Sequence, residues 1–119
     1  FAAAYLARCG TKVNIKEYKE AITDCEKAFQ LNLKDPSNYI DQNALYSNLC
    51  GAKSAIGEHN SALIDCNTAI ILDSKNSISF KNRGIVKENL GDMKGACSDW
   101  EISGNLGNLD SRSYFKNFC

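Results

Sequence analysis

Residues 43–76, NALYSNLCGAKSAIGEHNSALIDCNTAIILDSKN, decide the fold, because the segments on either side can be laid over them residue by residue. The first half carries Tyr46, Leu49, Cys50 and Lys53. The second carries Ala62, Cys66, Ala69 and Leu72, so each half has the three-and-four spacing of an amphipathic helix. Gly57 divides the halves. Two short helices around a glycine turn make a helical hairpin, and a hairpin that recurs along a chain builds a solenoid.

Working outward, Ala21, Ala62 and Ala96 share one role, at separations of 41 and 34 residues. The recurring triplets are Ala21, Cys25 and Ala28; Ala62, Cys66 and Ala69; and Ala96, Trp100 and Ser103. A 34-residue period with small, large and small residues at these steps resembles the tetratricopeptide repeat (TPR) family. The first helices carry the resemblance too: Tyr46 and Phe80 fill its aromatic position, while Cys50 and Gly84 fill the small-residue site where the two helices pass closely. Gly57 and Gly91 end the first helices, and Glu58 and Asp92 follow at the positive end of the next. The resemblance implies an all-α chain, a solenoid of about three hairpins with a C-terminal capping helix, in one domain over 1–119. Repeat one covers about 1–35, repeat two 43–76, repeat three 77–107 and the cap 108–119.

Three departures stand out. Repeat one lacks the dividing glycine, and Asn14 with Glu17 reads as a variant capping box opening a helix over about 15–33. Seven extra residues precede Asn43, and Pro36 with Ser37 predicts an early helix start near residue 37, with Tyr39 projecting beyond the hairpin. After Gly104 and Gly107, Leu109–Cys119 carries Tyr114, Phe115 and Phe118, enough to cover the open end of the stack. The closing stretch, GACSDW and then a terminal Cys119, is similar to that of many bacterial, notably cyanobacterial, TPR proteins.

Composition agrees and narrows function. Fourteen basic and 14 acidic residues in 119 leave no field to attract nucleic acid or an anionic membrane. No apolar run approaches the ~20 residues of a membrane span, and FAAAYLARC lacks the basic region and length of a signal peptide. The compartment stays open: cytoplasmic by default, periplasmic or secreted if Cys97 and Cys119 form a disulfide, which helices running antiparallel through Gly107 would allow. Cys9, Cys25, Cys50 and Cys66 fall on packing positions and read as buried core thiols. With no C-x-x-C pair and only His59, no metal site or cofactor is expected, and no nucleophile–base pair or phosphate loop assembles an enzyme.

The resemblance implies a concave groove lined by the first helices, binding a protein or peptide segment. Repeat two would present Ala44, Ser47, Asn48, Gly51, Ser54 and Ala55, and repeat three Ile78, Lys81, Asn82, Ile85, Glu88 and Asn89. Asn48 and Asn82, at equivalent sites, can both donate to and accept from an extended backbone. LYSN at 45–48 also resembles co-chaperone TPR domains whose carboxylate clamp grips heat-shock protein tails. Only Asn48 fits it, because Ile78 and Asn82 stand where lysine and arginine belong. The alternative is a structural module, a homo-dimer formed through Tyr39 and the early-starting helix with no separate ligand.

Overall fold

The computed structural model describes all of residues 1–119 as seven α-helices: α1 (Ala2–Asn14), α2 (Tyr18–Lys34), α3 (Gln42–Ala55), α4 (His59–Leu72), α5 (Ser77–Asn89), α6 (Met93–Asn105) and α7 (Leu109–Phe118). They form three antiparallel hairpins, α1/α2, α3/α4 and α5/α6, stacked side by side into a body of 44 × 25 × 22 Å and closed by α7. The fold is the expected all-α solenoid. All nine residues of the repeated triplets are buried, eight at 0% exposure and Trp100 at 1%. One helix row therefore supplies the spine of the core, and Leu6, Leu45, Leu49 and Ile40 fill in around it.

The turn inside each hairpin needs one residue with positive φ. Gly57 and Gly91 supply it at 89° and 86°, and in the first hairpin Lys16 does so at 66°. This corrects the capping-box expectation. Asn14 is the last residue of α1, and Glu17 precedes α2 without a side-chain cap bond. The turn keeps its geometry although the glycine is gone, at a steric cost of about 1–2 kcal/mol for an L residue.

The expected early start of the second hairpin is likewise absent. Asp35 accepts from the Ser37 amide at 3.1 Å and from its hydroxyl at 2.7 Å, closing a turn that prevents a helix from starting there. The helix starts at Gln42 instead, where Asp41 caps it by accepting from the Ala44 amide at 3.1 Å. The inserted segment packs inward through Ile40, 2% exposed, and leaves Tyr39 77% exposed.

The close-approach site is occupied differently in each hairpin. Cys9 is joined to Cys25 and Cys50 to Cys66, with Cα atoms 5.4 and 5.0 Å apart, while the third hairpin sets Gly84 under the Trp100 ring. The four cysteines expected as free thiols are buried, but as disulfides. Residues 16 apart face each other across the hairpin, and periodicity along single helices does not reveal that pairing. A third disulfide, Cys97–Cys119, ties the cap to α6.

A row of buried carboxylates also recurs: Asp24, Asp65 and Asp99. Arg8 forks onto Asp24 at 2.7 and 2.8 Å with Lys12 at 3.0 Å, and Arg83 forks onto Asp99 at 2.7 and 2.9 Å with Lys87 at 3.2 Å. In the middle hairpin Leu49 replaces the arginine and Lys53 alone pairs with Asp65, at 2.8 Å. Each bond runs from the first helix to the second, so charge reinforces the hairpins that apolar packing forms.

Candidate functional site

The concave side of the stack holds an open groove of about 740 Å³. Its floor is the half-buried stripe of α3 and α5, where Asn48, Gly51 and Ser54 alternate at helical spacing with their counterparts Asn82 and Ile85. α1 contributes Val13 and Asn14 at one edge. Tyr18 and His59, the first residues of α2 and α4, lean over the floor from equivalent places in successive hairpins.

The floor follows a simple rule. An atom built at the Cβ position of Gly10 would sit 3.5 Å from Asn48 Nδ2, and one at Gly51 would sit 3.2 Å from Asn82 Nδ2. Each asparagine therefore lies against bare backbone of the preceding first helix, keeping its amide shallow and presented to the groove. At the third site of this series stands Ile85, so the floor changes from backbone to an apolar side chain toward the C-terminal end.

Of the eight expected groove residues, seven line it: Ser47, Asn48, Ser54, Lys81, Asn82, Ile85 and Asn89. Asn89 is partly engaged by its own helix, donating to the Ile85 carbonyl at 2.9 Å. Ser47 touches the groove wall but is buried, its hydroxyl bonded to that of Ser79 at 2.9 Å, which fastens α3 to α5. Glu88 lies outside the lining, because the stripe steps four residues from Ile85 to Asn89 and leaves it to one side. Ala44, also on the free face by spacing, packs against the core instead.

Val13, Asn14, Tyr18 and His59 were not expected. They come from the first hairpin and from the starts of second helices, whose lean over the groove is a property of stacking. The available signal was the recurrence of Tyr18 and His59 at the same repeat position.

The 15 lining residues include no carboxylate. Lys81 is the one full positive charge, and Asp110 of the cap lies 3.7 Å from its Nζ. The site offers amides, hydroxyls and short apolar contacts, a surface suited to holding a backbone. At the far end, α7 covers Trp100 with Tyr114 and Phe118, ring centroids 5.3 and 6.3 Å away. Ser111 donates to Ser103 Oγ at 2.7 Å, which donates on to the Ser77 carbonyl.

No family model matches the chain, and no curated protein matches it. Among solved structures, the chain is similar to the first TPR domain of human RPAP3, with a TM-score of 0.81 and 21% identity over 98% of this chain and 88% of that one. It is similar to a TPR-like protein of Chlorobium tepidum, with a TM-score of 0.82 and 14% identity over 97% and 87% of the two chains. The first TPR of Spaghetti (RPAP3), bound to the HSP90 peptide SRMEEVD, matches with a TM-score of 0.79 and 22% identity over 98% and 89%. The fold is therefore that of a TPR domain.

Proposed function

We propose that this chain is a non-catalytic interaction module that takes an extended or helical segment of a partner protein into the groove of α1, α3 and α5. The observation that carries the reading is the pair Asn48 and Asn82. Their amides lie over the backbone of the preceding helix, one repeat apart, on a floor without a carboxylate. Two amides in register can bond alternate peptide groups of one chain, while Ile78 and Ile85 receive its side chains. The neighbour bound to an HSP90 peptide supports a peptide ligand for this fold. Ile78 and Asn82, in place of the clamp's lysine and arginine, favour a segment held by its backbone over a terminal carboxylate.

Co-purification from the source cell tests this, comparing the parent with Asn48→Ala/Asn82→Ala. Loss of two buried amide bonds should weaken capture by at least ~10-fold, with the melting temperature unchanged. Equal capture by both proteins would place the interface elsewhere. The exposed ring of Tyr39 favours self-association as a second reading. It requires mass in light scattering to rise with concentration and to fall back on Tyr39→Ala. Pairing of all six cysteines supports an oxidising compartment, periplasmic or secreted, and the closing segment supports a bacterial source.

A further inference from the structure

We infer that the Cys97–Cys119 disulfide is a thiol–disulfide exchange site, through which an external dithiol releases the cap helix α7 while the three hairpins stay folded. The three disulfides differ sharply in access. Cys9, Cys25, Cys50 and Cys66 are all 0% exposed, locked between helices at their closest approach, whereas Cys119 is exposed and Cys97 half-buried. Exchange needs an attacking thiolate to reach a sulfur along the S–S axis, so access decides which bond reacts.

The exchange is a two-electron transfer. A thiolate of the dithiol attacks Cys119 Sγ, and the bond to Cys97 breaks. Its electron pair leaves on Cys97 Sγ, which takes a proton from water. The second thiol of the reagent, as thiolate, then attacks the reagent's own sulfur in the mixed disulfide and releases Cys119. The dithiol ends as a disulfide, and the chain gains two thiols.

The cap is built to respond. Of its residues only Ser111 is buried, against three or more in every hairpin helix. What remains after reduction is the cover over Trp100, the Ser111–Ser103 bond, Arg112 donating to the Gly104 carbonyl at 2.8 Å and the long Asp110–Lys81 pair at 3.7 Å. A helix of ten residues is marginal by itself. Opening the 22-residue separation raises the undocked fraction on the order of 100-fold. Release bares the Trp100 ring and removes Asp110 from Lys81, so the groove's one lysine becomes unpaired. Neither step depends on what the groove binds.

The test is graded reduction with dithiothreitol, with alkylation and mass spectrometry to report which cysteines have opened. Cys97 and Cys119 should be alkylated first. In that species, amide exchange over 109–118 should rise about 100-fold and Trp100 emission shift to the red, while protection in α1–α4 is retained. Cys97→Ser/Cys119→Ser should show the same exchange without reductant. If that variant does not fold, the partly reduced parent carries the measurement. Simultaneous opening of all three disulfides, earlier alkylation of the hairpin cysteines, or a cap still protected after Cys97 and Cys119 are alkylated would each overturn the inference.

Discussion

Gly84→Ala should destabilise the chain, although the same change at Gly10 should stabilise it. Both glycines lie inside a first helix, where replacement by alanine gains about 1 kcal/mol of helix propensity. They differ in what the new methyl meets. At Gly10 it finds Asn48 Nδ2 at 3.5 Å, an ordinary contact; at Gly84 it would overlap Trp100 Nε1 and lie 2.6 Å from Cδ1. The indole has little room to retreat, being 1% exposed with Tyr114 and Phe118 against it. Overpacking a tight core costs about 1–3 kcal/mol, and a rigid ring puts this site at the upper end. Subtracting the propensity gain leaves about 2 kcal/mol of net loss, or a melting temperature lower by roughly 8 °C for a domain of this size. Gly10→Ala should melt about 4 °C higher. Differential scanning calorimetry of both variants measures the contrast, and a Trp100→Phe background should shrink the Gly84 penalty because the two sites share one contact. If Gly84→Ala raises the melting temperature as Gly10→Ala does, the close approach of α5 and α6 is not what selects glycine there.

Lys16→Gly removes the one left-handed non-glycine residue, φ 66°, and should raise the melting temperature by a few degrees, corresponding to about 1 kcal/mol; an unchanged or lower value in thermal denaturation would refute a strained turn. Asp24 is held below the ordinary carboxylate range, first by its hydrogen bonds from Arg8 and then by Lys12, against the opposing effect of burial. A lowered folded-state value means this contribution is complete above the unfolded pKa of ~3.9 and is lost as pH falls through the folded value. Urea unfolding followed from pH 6 down to pH 2 should therefore show stability falling below about pH 4, and Asp24→Asn should be less stable at pH 6 with a shallower acid slope; an identical slope in the variant would place the acid sensitivity elsewhere.

Much of the groove was readable in the residues. The 34-residue step and the buried triplets located the helices and their inward faces, which in turn left Asn48, Lys81, Asn82 and Ile85 on the free face. Ser47 and Glu88 show where this method stops. Helical spacing locates a residue's direction to within part of a turn, whereas its fate depends on the neighbour across the hairpin stack. For Ser47 that neighbour is the Ser79 hydroxyl; Glu88 has no place on the groove stripe. Tyr18 and His59 open second helices, and only their recurrence one repeat apart marked them, since their approach to the groove comes from the stacking.

The sequence by itself determined the repeat, the helix inventory and the cap, because these follow from apolar spacing and turn residues within some forty positions. Only the tertiary structure decided how the departures resolve. Asp35 folds the insertion into a turn, Lys16 takes a glycine's conformation, and four cysteines that read as packing residues meet in pairs. The Asp35 bonds are local and compete with a helix start at Ser37, whereas the Lys16 turn and the cysteine pairs are imposed by contacts between segments that local pattern treats separately. The physical reason is that periodicity assigns a face to each side chain, whereas pairing requires the distance between two faces, which the chain acquires only when the hairpins close.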